Sequence, residues 1–500
     1  MIKKLLILAI SVVMLLSIML TAQTCVKLPI CGDGEVNQAS EQCDKLDFND
    51  HTCQTEGFSS GMLNCNNDCT ISTMSCQTQM PQSQLIQNYI ILGNNWGGGS
   101  ASQDELDYYI TRYSMAQEFR DWEGKPLIEA GGQNILKYRL GGSLFDISLS
   151  SAPERMDIWE KATGQRSGYM DIRLKKEDGG YMQRKDGKEW LLDLSTQENV
   201  NQWSQILIES LEPYLEEQDP PFHGIFFDVA NLQDMNGYQG VPAPSSGEEY
   251  SKGSQHDGLV NVYRQVRNRF PEGIIILNGH NPWERSSTFQ KDPSLPEYSG
   301  RRLVMDSGAD GIMVENRMLS GGPSISSWTS AAIQDISYLL DNGKKVIVTY
   351  AFGEDQPNFN AQRKWALATY LIATGNNRNA YFGMDQVGGG ELPDYPEQTF
   401  DIGKELGEPI SGILEESNGE VLRRNFENGI VLAHVRNDGT PQEITIPGEY
   451  EALRLNGGGV YDMEDTPQGM INWDGDIFEQ LLPPTQQIVD GSALILREIR

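Results

Sequence analysis

The chain has 500 residues, with 70 Asp and Glu against 39 Lys and Arg, a formal charge of −31. That length allows roughly two to four domains and a large core. The charge argues against nucleic acid as a partner, because replacing the counterions of a phosphate backbone takes Lys and Arg that this surface does not offer.

Lys3 and Lys4 precede an apolar run over residues 5–20, the layout of an export signal, so residues 1–24 predict a secreted chain. At about 16 residues the run is short of the about 20 that a transmembrane helix needs. A retained anchor, and with it attachment to a membrane, stays open. So does acylation at Cys25, although Gln23 and Thr24 are not the small residues expected ahead of a lipidated cysteine.

All seven cysteines lie in residues 25–76, which marks a separate module. Setting Cys25 aside leaves Cys31, Cys43, Cys53, Cys65, Cys69 and Cys76. An even number in an exported chain predicts three disulfides, among fifteen pairings that sequence cannot choose between. The spacings give no pair of C-x-x-C knuckles, and an oxidising compartment disfavours zinc thiolates. The wording Cys31-Gly-Asp-Gly-Glu, Glu41-Gln-Cys43-Asp and Leu63-Asn-Cys65-Asn-Asn-Asp-Cys69-Thr resembles short cysteine-rich repeats of secreted bacterial and archaeal multidomain proteins. That resemblance implies an accessory module for spacing or attachment. Residues 77–84, polar and holding Pro81, read as a linker.

From residue 85 short apolar runs alternate with helix-like segments, the pattern of a parallel βα fold. The predicted strands are 89–92, 135–138, 190–193, 224–228, 274–277, 311–315, 346–350 and 380–383. Eight of them over residues 85–410 predict an α/β (β/α)8 TIM barrel. Between them, residues 201–216 place Trp203, Ile206, Leu207, Leu211 and Leu215 on one helical face, and residues 260–270 do the same with Val262, Val266 and Phe270. Residues 151–188 form a long insertion with Trp159, Tyr169 and Tyr181, read either as a cover over the barrel mouth or as a peripheral hairpin. Residues 411–500 change to period-two runs with Gly and Asn turns, at 429–435, 442–446 and 493–496. They predict a small antiparallel β domain, sandwich-like, acting as a packing cap.

A barrel of this kind carries its site at the C-terminal ends of the strands, so the residues closing each run form a candidate ring. They are Asn94, Asn95 and Trp96; Arg139; Asp193; Asp228 and Asn231; Asn278 and His280; Glu315 and Asn316; Tyr350; and Asp385. Carboxylates and amides take sugar hydroxyls, and Trp96 or Tyr350 can stack on a pyranose face, so the ring predicts a carbohydrate substrate. Asp228 and Glu315 stand out because each directly follows a buried run, where a charge is costly unless it faces a solvated cleft. Glycoside hydrolysis needs two such carboxyls flanking one bond. Five histidines with no H-x-H or H-E-x-x-H give no metal site, and no cofactor is expected.

The runs Trp190-Leu-Leu-Asp-Leu-Ser, His223-Gly-Ile-Phe-Phe-Asp-Val-Ala-Asn, Asp310-Gly-Ile-Met-Val-Glu-Asn and Leu406-Gly-Glu-Pro resemble the glycoside hydrolase families built on this barrel, in particular hypothetical glycosyl hydrolase family fifteen. The resemblance spans roughly residues 84–500 and implies an exported glycosidase acting on a polysaccharide or surface glycan. Acids on the fourth and sixth strands are also similar to the alpha-galactosidase clan. By that similarity Asp228 is the nucleophile and Glu315 the general acid/base of a retaining reaction, with the departure that the clan's acid/base is Asp. Two other readings compete: a glycan-binding or attachment protein that keeps the acidic ring without cleaving, and a lyase or transferase on the same scaffold.

Overall fold

The computed structural model describes residues 36, 42–43, 51, 60–61, 64–65, 69–72 and 76–77, then 86–92, 102–118, 124–145, 153–184, 187–230, 242–245, 252–279, 300–315, 325–351, 359–375, 377–385, 392–394, 402–406, 421–434, 442–446, 449–453, 459–461, 478–480, 485–488 and 493–499. The chain divides into two compact units, residues 1–79 and 80–500.

In the first unit Cys43 is bonded to Cys65, and Cys69 is also disulfide-bonded. Cys76 begins a two-residue strand that pairs with Ser60–Gly61. Cys31, Cys53 and the export-like segment 1–24 lie outside the described residues. Among the described residues no helix is long and apolar enough to cross a membrane.

The second unit holds a closed barrel of eight parallel strands: Gln87–Leu92, Met115–Glu118, Ile135–Leu140, Gly224–Asp228, Ile274–Asn278, Gly311–Glu315, Lys345–Ala351 and Ala380–Asp385. The ring closes where the eighth strand pairs with the first. Two members of the predicted list change. Met115–Glu118 enters as the second strand, and residues 190–193 leave the barrel. Glu189–Leu191 instead pairs antiparallel with Ser143–Phe145, in a small hairpin just beyond the third strand. The apolar character of Trp190-Leu-Leu serves that hairpin, whose Leu191 packs with Leu174 and Met182. The two changes cancel, and Asp228 and Glu315 stay at the ends of the fourth and sixth strands.

Alternation along each strand sorts side chains between two cores. Tyr89, Met115, Leu136, Tyr138, Phe226, Ile276, Met313, Ile347 and Tyr381 fill the barrel interior. Tyr138 lies over Phe226 with ring centroids 6.3 Å apart. The residues between them, such as Ile225, Phe227, Ile275, Leu277, Ile312 and Val314, face the surrounding helices. At about 1.5–3 kcal/mol for each fully buried side chain, this double layer fixes the register of every strand, since a slip of one residue would exchange the two sets.

The helix expected at 201–216 runs Gln197–Glu212 and passes into a wider turn, Pro213–Glu217. It starts earlier because Thr196 caps it, accepting from the Asn199 backbone N–H at 3.3 Å. Lys252–Arg269 covers the second expected helix as far as residue 269, starting eight residues earlier, and buries Val260, Val262, Tyr263 and Val266.

After the barrel, Val421–Phe426, Gly429–His434 and Ala493–Glu498 form the centre of a six-stranded antiparallel sheet. Gln442–Thr445 pairs separately with Thr485–Ile488. The large sheet packs on the barrel helix Phe359–Thr374. There the Trp365 indole donates to the His434 carbonyl at 3.2 Å and Arg424 donates to the Ile372 carbonyl at 2.8 Å. This sheet caps the barrel wall.

Candidate active site

Inward parity at the strand ends selects the site. Counting by twos from Leu136, Phe226, Ile276 and Met313 reaches Tyr138, Asp228, Asn278 and Glu315, all half-buried or buried at one end of the barrel. One amide ties them together. Asn278 Nδ2 donates to Asp228 Oδ1 at 2.9 Å and to Glu315 Oε2 at 2.8 Å. The two carboxylate oxygens are therefore no farther apart than those two bonds laid end to end. With one amide hydrogen serving each acid, they are about 5 Å apart.

Asp228 is held at both oxygens. The Tyr138 hydroxyl donates to Oδ2 at 2.7 Å, and the Val229 backbone N–H donates to Oδ1 at 2.8 Å. Burial pushes the Tyr138 phenol well above its usual range, and the charge of Asp228 adds to the effect, so Tyr138 remains the donor of that bond. Glu315 accepts from Asn278.

The turn after Asp228 is strained. Val229, β-branched and buried, has φ of 48°, a left-handed conformation that such residues rarely adopt and that costs of order 1–3 kcal/mol. Neighbouring backbone holds it: Gly141 N–H donates to the Asp228 carbonyl at 2.7 Å, Gly142 N–H to the Val229 carbonyl at 3.0 Å, and Ala230 N–H to the Asn278 carbonyl at 3.0 Å. Only glycine fits at residue 141, where a Cβ would meet the Tyr263 hydroxyl and approach the Ala230 Cα to 3.2 Å.

A third carboxyl comes from the hairpin. Glu189 is buried, accepts from Ser143 Oγ at 3.3 Å and pairs with Arg184 at 2.6 Å. Burial raises its carboxyl above the ordinary range; the Asp228 charge acts in the same direction, and Arg184 opposes both. Thr349 lies opposite Glu315 in the register of the sixth and seventh strands, on the inward parity of Ile347. Its buried hydroxyl has no hydrogen-bond partner among the described residues. Sequence reading missed Tyr138, Glu189 and Thr349. The alternation of Leu136, Tyr138 and Leu140 was the available signal for the first.

Other residues of the expected ring fall elsewhere. Arg139 has outward parity: its guanidinium pairs with Glu154 and donates to the Ser210 carbonyl at 2.9 Å. Tyr350 also points outward, with its hydroxyl 2.8 Å from Thr369 Oγ1, so it offers no face to a sugar. Asp193 is 2 % exposed and organises a loop, accepting from Ser195 Oγ at 2.6 Å and the Ser245 backbone N–H at 2.6 Å. Although burial works to raise its pKa, these bonds hold it below the usual carboxylate range. All three stand at the end of an apolar run, a place that says nothing of the phase of the strand. Asp385 closes the eighth strand. Asn94, Asn95, Trp96, Asn231, His280 and Asn316 lie outside the described residues. Trp159 and Tyr181 of the insertion and Trp190 of the hairpin surround Arg173, whose guanidinium carbon is 3.8 Å from the Tyr181 ring centre. That aromatic cluster is occupied by the chain's own cation.

The chain is similar in structure to several carbohydrate-active enzymes. The glycoside hydrolase domain of PelA from Pseudomonas aeruginosa is 11% identical, with 60% of this chain and 94% of that one covered and a TM-score of 0.34. Amy13B of Eubacterium rectale is 9% identical, with coverage of 84% and 96% and a TM-score of 0.41. A xylanase of Cellvibrio japonicus, Xyn10A, is 11% identical, with coverage of 61% and 88% and a TM-score of 0.32. No curated protein matches the chain. The model of hypothetical glycosyl hydrolase family 15 matches residues 160–430, more than half of the sequence, and the chain belongs to that family of glycosidases.

Proposed function

We propose that the protein is a retaining glycosidase in which Asp228 is the nucleophile and Glu315 the general acid/base. The observation that carries this reading is the shared Asn278 amide, which sets the two carboxylate oxygens about 5 Å apart, near the 5–5.5 Å typical of retaining enzymes and below the 6.5–9.5 Å that leaves room for a water in inverting ones. The bonding supports this division of roles. Asp228 receives the Tyr138 hydroxyl, the Val229 N–H and the Asn278 amide, which hold its carboxyl in one orientation, as a group that attacks the anomeric carbon requires. Glu315, with the Asn278 bond, is the freer of the two to move a proton.

In the first step Glu315 gives its proton to the departing glycosidic oxygen while Asp228 forms a bond to the anomeric carbon. In the second, Glu315 takes a proton from water, and the resulting hydroxide displaces Asp228 and restores both groups. The substrate is a polysaccharide or surface glycan met outside the cell, the lysine-flanked apolar run of residues 1–24 being the support for export or membrane attachment. The test is a glycan panel incubated with the full chain and with Asp228→Asn and Glu315→Gln. Cleavage by the parent and a loss of about 10²-fold or more in each variant is expected. Binding without cleavage in all three proteins would instead identify a glycan-binding protein.

A further inference from the structure

Arg155 lies in the first turn of the helix Pro153–Ala162, in the insertion that follows the third strand. Neighbouring cations are spent on acids: Arg139 on Glu154, Lys161 on Asp157 at 2.6 Å, Arg184 on Glu189 at 2.6 Å. Arg155 has no carboxylate or carbonyl partner among the described residues, and it is half-buried. Its guanidinium carbon lies 5.3 Å from the centre of the Phe145 ring. Phe145 packs against the inner barrel core and is paired in register with Glu189, so this ring leads from the core to the mouth. The cation also lies close enough to the Tyr138 hydroxyl to favour its ionised form, and that hydroxyl is the one bonded to Asp228.

The acids of the site have partners of their own. Asp228 accepts from Tyr138, Asn278 and Val229, and Glu189 accepts from Arg184 and Ser143. A guanidinium partly removed from water without a counter-charge is costly, and its rigid fork matches a pair of anionic oxygens. The surroundings also lack the acidity of the rest of the chain: between Asp146 and Glu189 basic and acidic residues are equal in number, against −31 overall. The segment that carries Arg155 therefore adds no net negative charge to oppose an acidic ligand.

We infer that Arg155 forms an anion-recognising subsite beside Asp228, so that the glycan bound there carries a carboxylate or a sulfate ester on a sugar next to the bond being cleaved. The inference rests on the reading of Asp228 as the reacting centre. Phe145 lies beside the guanidinium, and the incoming anion supplies the counter-charge that the chain does not.

The experiment compares the full chain, Arg155→Gln and Arg155→Lys for binding to polygalacturonate beside its carboxyl-reduced form, and to chondroitin sulfate beside its desulfated form, with hydrolysis followed in parallel. The parent should bind the charged member of one pair about 10-fold or more tightly than its neutral counterpart. Arg155→Gln should remove that preference while leaving affinity for the neutral polymer unchanged, and Arg155→Lys should restore part of it, since an ammonium keeps the charge without the fork. The pair that responds identifies carboxylate or sulfate. Equal affinity of the parent for charged and neutral members of both pairs, or an equal loss on both in Arg155→Gln, overturns the subsite. Preference for the charged polymer without any hydrolysis leaves the subsite standing and removes the catalytic reading of Asp228; hydrolysis without preference does the reverse.

Discussion

Two faces of the third barrel strand, Ile135–Leu140, put charge to opposite uses. On the inner face Tyr138 donates to Asp228 in a half-buried cluster that ends at the mouth. On the outer face Lys137 lies 3.5 Å from Glu118, both shut away from solvent, with the ammonium 4.0 Å from the centre of the Tyr214 ring. Arg139, the next outward residue, pairs with Glu154. The outward charges tie the third strand to its neighbours, Lys137 to the second strand and Arg139 to the helix Pro153–Ala162. The inward ones converge on one another at one end of the barrel, so position within the two-residue period, more than charge itself, separates the two uses.

That contrast can be broken by mutation. Lys137→Met removes the ammonium beside the fully buried Glu118 carboxylate and should cost about 3–5 kcal/mol, read as a fall in the denaturant midpoint, with kcat per folded molecule unchanged. A loss of kcat at constant fold would erase the distinction between the faces. Asn278→Ala removes the amide shared by both acids and should lower kcat by about 10²-fold with a small effect on stability, measured by steady-state kinetics beside thermal melts. Gly141→Ala forces a Cβ against Tyr263 and the Ala230 backbone and should cost about 1–3 kcal/mol while displacing the strained Val229 turn; here stability and activity should fall together.

The smallest expected effect is the pH dependence set by Glu189. Its carboxyl is raised in the folded state, chiefly by burial, so the folded chain binds more protons than the unfolded one above pH 4.5. The stabilisation from its protonated form is complete below that pH and is lost as pH rises through the folded value, so its contribution to stability falls with increasing pH. Glu189→Gln, which stays neutral, should flatten that part of the melting-temperature profile. An unchanged profile would show that the carboxyl is not perturbed.

Much of the architecture was legible because buried parallel strands are continuous apolar runs: Gly224–Asp228, Ile274–Asn278 and Gly311–Glu315 could be read almost residue for residue. Met115–Glu118 escaped because half of it is polar; Gln117 spends its amide oxygen on the Tyr89 hydroxyl at 2.5 Å, a contact no local pattern announces. Trp190-Leu-Leu misled for the converse reason, since a hairpin with its own small core carries the same apolar signature as a barrel strand. At the site, Asp228 and Glu315 were visible as acids ending buried runs. Arg139 and Tyr350 had the right height but the wrong phase, while Tyr138 and Glu189 depend on contacts between segments distant in the chain.

The most direct measurement is the anomeric configuration of the sugar released in the first turnover, followed by proton NMR before mutarotation equilibrates it. With Asp228 and Glu315 bridged by one amide, the product should keep the configuration of the substrate. Release of the inverted anomer would contradict a nucleophilic Asp228 and require a water between the two acids instead.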